Sequence, residues 1–155
     1  PAAVGVQIAQ PTSLVIGVGG EASLQMMTQE LSTAVKYGAP VKVFILNTPY
    51  MGMVRQWQEL LHGNRHSESE SLAMPDFVKL AEAYGASGIQ VKDPADVDGA
   101  IEEMIRRDGP VVVDCLVDKY ENCFPMIPSG AAHNEMIFGK AGLDAGVSEE
   151  GKILV

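Results

Sequence analysis

Four short runs of β-branched and apolar residues, Leu14–Val18, Val41–Asn47, Gly88–Val91 and Val111–Val117, constrain the fold more tightly than anything else in the chain. Each is nearly continuous rather than alternating, which is the pattern of a strand covered on both faces. Between them lie segments of helical spacing with legible ends. Leu24, Met27, Leu31, Ala34 and Val35 fall on one face of a helix expected from about Ala22 to Tyr37, with Gly38 as its stop. A second helix is expected from Gly52 to Leu61, followed by the polar stretch HGNRHSESES. Pro75–Asp76 opens a third that ends at Gly85, and Asp93–Pro94 gives an N-cap and a first-turn proline to a fourth that stops at Gly109. Such alternation implies right-handed crossovers and an α/β fold, a parallel sheet covered by helices on both faces. Ligands of such sheets bind beyond the carboxyl ends of the strands, so the connections Gly17–Ala22 and Asn47–Met53 matter most.

The ends are less regular. PAAVGVQIAQP reads as the interior of a helix with Ala2, Val6 and Ala9 on one face, as if the chain began inside something larger. After Val117 the pattern turns irregular and rich in Pro, Gly and polar residues. At 155 residues the chain is one ordinary domain, taken as 1–137 with a tail at 138–155. A net charge of −9 gives no reason to expect nucleic acid. The apolar runs are too short to span a membrane, and no basic-then-apolar leader opens the chain. Cys115 and Cys123 fit a reducing, cytoplasmic setting, and with His133 they show no zinc-type spacing.

The stretch SLVIGVGGEASLQMM carries the chemistry. Gly17, Gly19 and Ala22 spell G-x-G-x-x-A after an apolar run, the dinucleotide fingerprint. A nicotinamide site also wants an acid at the end of the second strand, and FILNTPY offers uncharged Asn47 and Thr48 there. It wants bare amides at the pyrophosphate, where Glu21 would repel it. A carboxylate beside a diphosphate is sensible if a hard divalent cation lies between them. Mg²⁺ takes octahedral oxygen ligands, commonly one or two from protein and the rest from phosphate and water. Glu21, the Thr48 hydroxyl and the Tyr50 carbonyl are candidates. Equally, Glu21 could merely favour a helix N-terminus, a gain of about 0.3–1 kcal/mol.

The segments GEAS and NT resemble the thiamine diphosphate motif GDG…NN. Around them, QELSTAVKYGAPVKVFILN, YMGMVRQWQELLHGNR, PDFVKLAEAYGASGI and ENCFPMIPSGAAHNEMI resemble the large subunit of the acetohydroxyacid (acetolactate) synthases, from Pro1 to about Ile137. The resemblance implies a three-layer, Rossmann-like thiamine diphosphate-binding fold. It implies that Gly20, Glu21, Ala22 and Ser23 hold diphosphate and Mg²⁺, with Thr48 and Tyr50 as further metal ligands. Gly52, Met53 and Val54 would touch cofactor, and Trp57 and Ser129 would line a substrate channel. It implies decarboxylation of pyruvate and its joining to a second 2-oxo acid, pyruvate or 2-oxobutyrate, for branched-chain amino acid synthesis.

The chain departs from the family pattern at the motif itself. Glu21 stands for the motif's Asp, one methylene longer, and Thr48 for its second Asn, with Pro49 biasing Thr48 towards extended geometry. The family's pyrimidine-binding domain and the glutamate that activates the cofactor have no counterpart in these 155 residues, so no catalytic residue is assigned. The expectations are therefore a cofactor half-site, inactive by itself, in a homo-oligomer that covers its apolar surface. The alternatives are a degenerate assembly or regulatory module of the same fold, or an NAD(P)-dependent oxidoreductase.

Overall fold

In a computed structural model, residues 1–139 are described, so most of the expected 138–155 tail lies outside them. The described chain divides into two compact units, one of residues 1–48 and 73–117, the other of residues 49–72 and from 118 onward.

The first unit is a four-stranded, all-parallel sheet in the order β1-β2-β4-β3. Its strands are β1 (Ile16–Gly20), β2 (Lys42–Asn47), β3 (Ser87–Val91) and β4 (Val111–Leu116). On one face Leu31 of α3 (Glu30–Lys36) and Phe77 and Ala81 of α5 (Phe77–Ala83) close over Ile45 and Val112. On the other, Ala100 and Met104 of α6 (Val97–Arg106) close over Val91, Val111, Val113 and Cys115. The helix ends follow their residues. Asp76 accepts a hydrogen bond from the Lys79 N–H at 3.0 Å, and Asp93 one from the Ala95 N–H at 2.9 Å. Gly85 and Gly109 take the positive φ that their turns require.

Three expectations are corrected. The first strand is shifted to Ile16–Gly20 and bare on one face, with Ile16 43% and Val18 68% exposed. No described helix covers that side of β1, which is an edge strand of the sheet. The single helix over Ala22–Tyr37 is two: α2 (Glu21–Gln25) and α3. Tight i→i−3 bonds join them, Met27 N–H to Leu24 and Glu30 N–H to Met27, and these wind the chain into the next helix without regular α-geometry. In α1 (Ala2–Ala9), the buried residues are Val4 and Gln7, while Ala2, Val6 and Ala9 are exposed. Uniformly small, apolar residues specify no face, so the contacts of Val4 with Ala34 and Val41 decide it.

The second unit is built on α4 (Gly52–Leu61), with the boundaries expected. Its buried Arg55 donates to Glu59, to the Tyr120 carbonyl at 3.1 Å and to Asn122 Oδ1. Gln56 donates to the Cys123 carbonyl at 2.9 Å and accepts from the Cys123 N–H at 2.7 Å. Consecutive side chains of α4 thus pin the irregular 120–126 segment. Within the same unit Tyr50 bridges Glu70, and Met126 bridges Ile137.

Candidate functional site

The carboxyl edge of the sheet is where the candidates of the first unit meet. Gly20 pairs with Leu46 at the ends of neighbouring strands. Glu21 is one residue beyond that pair and Thr48 two, so they leave the edge from strands that lie about 4.8 Å apart.

The glycines before Glu21 are not a phosphate-binding loop. Gly17 and Gly19 lie inside β1, which runs to Gly20 and passes directly into α2. A Cβ on Gly17 would lie 3.3 Å from that of Ala3, so packing of α1 accounts for this glycine. The tight turn of a dinucleotide site is therefore lacking. Gly20 is different: a Cβ there would meet nothing within 4 Å, and its φ of −87° suits any residue. Neither packing nor backbone conformation accounts for its bare Cα, whereas close approach of a ligand would.

Glu21 is 3% exposed and has no hydrogen-bond or ion-pair partner among the described residues. The Thr48 Oγ1 is buried and equally unpartnered. Buried polar groups are ordinarily paired, and each exception calls for an explanation. An anionic oxygen and a hydroxyl oxygen, left without protein partners at adjacent strand ends, are donors of the kind a hard divalent cation takes. The residues present fit such an ion. Ala22 is half-buried and Ser23 exposed in the first turn of α2.

In the second unit, Met51 N–H donates to the Ser69 carbonyl and Ser71 N–H to the Pro49 carbonyl, at 2.8 and 2.7 Å. These two bonds make the Tyr50–Glu70 bridge, so the pairing leaves the Tyr50 carbonyl free for another donor or a metal. A Cβ on Gly52, at the start of α4, would likewise meet nothing within 4 Å. Met53, Val54 and Trp57 line one apolar hollow of about 290 Å³ with Gln58 and His62. Ser129 is exposed and does not line it.

Sequence reasoning overlooked Asp114. Its signal was a lone charge inside the otherwise apolar run VVVDCL, and the structure buries it in the sheet. Burial, and then the Asp114 charge, push the neighbouring Cys115 thiol above its ordinary value. Cys115 and Cys123 are free thiols, and no cluster of metal-ligating His, Cys, Asp and Glu occurs among the described residues. No described helix is long and apolar enough to cross a membrane.

Comparison with known proteins bears on the same residues. Residues 1–115 match the family described as thiamine pyrophosphate enzyme, C-terminal TPP binding domain. The chain is 45% identical over 141 residues to the acetolactate synthase large subunit of Haemophilus influenzae, and 45% over 143 residues to the isozyme 3 large subunit of Escherichia coli. Each alignment covers 90% of this chain and 25% of the relative. With the mitochondrial catalytic subunit of Saccharomyces cerevisiae it is 45% identical over 137 residues, 88% of this chain and 20% of that protein. The chain thus spans between a fifth and a quarter of the length of these relatives.

Proposed function

The chain belongs to the thiamine pyrophosphate enzymes, as their C-terminal cofactor-binding domain, and we propose that it forms the diphosphate- and magnesium-binding half of an acetolactate synthase active site. One observation carries the metal reading: Glu21 and the Thr48 hydroxyl are buried and unpartnered at the ends of two adjacent parallel strands. Mg²⁺ would take oxygen from both, with phosphate and water completing its shell, and the Tyr50 carbonyl is assigned to the same ion by resemblance alone. Gly20, Ala22 and Ser23 would receive the diphosphate, and Gly52, Met53 and Val54 would meet the remainder of the cofactor. The hollow beside Trp57 suits the small apolar tails of pyruvate and 2-oxobutyrate, with Ser129 assigned to the channel mouth by resemblance.

When bound, the cofactor supplies the carbon nucleophile that decarboxylates one 2-oxo acid and passes its two-carbon unit to a second. This chain's own part is to bind the diphosphate, orient it through the metal and exclude water around it. The activating glutamate and the pyrimidine-binding domain belong to a part of the family pattern outside these residues, so the chain alone should form no acetolactate. The bare Ile16, Val18 and Leu46 of the sheet support a homo-oligomeric or domain interface. Two free thiols suit a reducing cytoplasm.

Calorimetric titration of thiamine diphosphate, with and without Mg²⁺ and beside an NADH control, tests the reading. Mg²⁺-dependent saturation, lost in Glu21→Ala and absent with NADH, is the expected result. Saturation at 100 times the dissociation constant should add about 2.7 kcal/mol to the stability of the fold. No binding at millimolar cofactor, or binding indifferent to Mg²⁺, would overturn it in favour of a degenerate, non-catalytic relative.

A further inference from the structure

Asp114 is 3% exposed on β4, between β2 and β3, where no sheet edge gives it access to water. Its register neighbours are Ile45 and Gln90, which sets it on the face shared with Val112 and Asn47. Val112 belongs to the apolar cluster around Phe77, so Asp114 stands just beyond that core towards the carboxyl edge. Asn47 Nδ2 donates to Oδ1 at 2.7 Å and Gln90 Nε2 to Oδ2 at 3.2 Å. Neither donor is charged, and no cationic side chain pairs with Asp114 among the described residues.

A buried carboxylate answered only by two amides weakens a fold relative to an apolar residue of similar size. What the arrangement gains is a fixed Asn47. Its side chain is held by Asp114, and its carbonyl accepts from the Val117 N–H at 3.0 Å. Asn47 ends β2 and is followed at once by Thr48, whose hydroxyl oxygen is buried and open.

We infer that Asp114 is a positioning residue of the metal site: through Asn47 it fixes the direction in which Thr48 leaves β2. This rests on the metal and diphosphate reading proposed above. A purely structural role would make stability and affinity fall together. A positioning role with an unbalanced charge separates them, because removing the charge relieves the empty fold while loosening its ligand.

The test is Asp114→Asn, which keeps the volume and can still accept from Asn47, with Asn47→Ala as a second variant that cuts the link and leaves the carboxylate. Melting temperature is measured without ligand, and affinity by calorimetric titration of thiamine diphosphate in saturating Mg²⁺ and of Mg²⁺ in saturating thiamine diphosphate. Asp114→Asn should melt at the same temperature or higher while Mg²⁺ affinity falls by up to about tenfold, the low end of the usual loss for an outer-shell partner. Asn47→Ala should lose affinity to a similar degree, and it decides the matter if Asp114→Asn does not fold. Unchanged Mg²⁺ affinity in a folded variant, or an affinity loss that tracks a fall in melting temperature in both, would overturn the inference alone. Failure of the unsubstituted chain to bind would overturn the underlying reading, and this inference with it.

Discussion

Two charges are buried on the interior strands of one sheet, Lys42 at the amino end of β2 and Asp114 near the carboxyl end of β4, 2% and 3% exposed. Lys42 donates to the carbonyls of Arg107 at 2.5 Å and Gly109 at 2.9 Å, closing the turn between α6 and β4. Its partners are backbone groups that would otherwise be orphaned, so it serves the fold. Asp114 instead ties down the residue before Thr48, at the edge where Glu21 and Thr48 have no protein partner. The same sheet thus holds a charge at one end to complete itself and at the other to stay ready for something else. Stability and binding should therefore separate along the strands.

The largest effects belong to the open edge. Glu21→Ala should weaken Mg²⁺-dependent binding of thiamine diphosphate at least about 100-fold, or about 2.7 kcal/mol. Its melting temperature should stay or rise, since a buried carboxylate without a partner is removed. Thr48→Val keeps the shape and deletes one orphaned oxygen. It should cost about tenfold in Mg²⁺ affinity and leave the fold equally stable or better. Paired calorimetry and thermal melts check both. A stability loss in either variant would erase the distinction between the two ends.

The closed end predicts the reverse. Lys42→Met leaves two turn carbonyls unanswered and should lower stability by about 2 kcal/mol without changing cofactor affinity. It should also alter the alkaline limb. Burial, partly opposed by the Asp108 charge, holds the Lys42 ammonium below the ordinary lysine value of 10.5. The unfolded chain therefore binds more protons between the folded value and 10.5, so stability rises with pH through that window. Denaturant midpoints across it should rise in the native chain and stay flatter in Lys42→Met.

How far the sequence disclosed this division depends on whether the signal was local. Asp76, Asp93, Gly85 and Gly109 mark helix ends through bonds and dihedrals within a few residues, and each sits where its chemistry places it. Glu21 and Thr48 stood out because a carboxylate and a hydroxyl follow apolar strands, although nothing local shows that the Glu21 side chain is buried without a partner or that the Thr48 hydroxyl is buried and open. The G-x-G spacing was set aside on Glu21 and the uncharged Asn47 and Thr48, but the reason for Gly17 itself was hidden, since it answers to Ala3, a neighbour only in the folded chain. The break between α2 and α3 was hidden because Leu24, Met27 and Leu31 keep a helical period through it. Asp114 stood out only as a lone charge in an apolar run, and its role was hidden for the same reason as that of Gly17: its meaning lies in Asn47 and Gln90, which only strand pairing brings beside it.

The smallest predicted effect sharpens the contrast within the carboxyl edge itself. α5 runs into a strand parallel to the others, so its first turn faces the same edge as that of α2. Both helices open near an acid, yet Asp76 is exposed and answered where Glu21 is buried and unanswered. The Lys79 N–H, and then the Lys79 ammonium at 3.0 Å, hold the Asp76 carboxyl below its ordinary value of 3.8. A carboxylate with a depressed folded value stabilises the fold fully above its unfolded value and loses that contribution as pH falls through the folded one. Asp76→Asn keeps a good N-cap but cannot titrate. Solvent screens this pair, so the variant should match the native chain at neutral pH within measurement and lose less stability on acidification. Denaturant midpoints at neutral pH and below the ordinary carboxylate range would show it. Cofactor affinity should not move, because a capped acid at this edge has already committed its oxygens to its own helix.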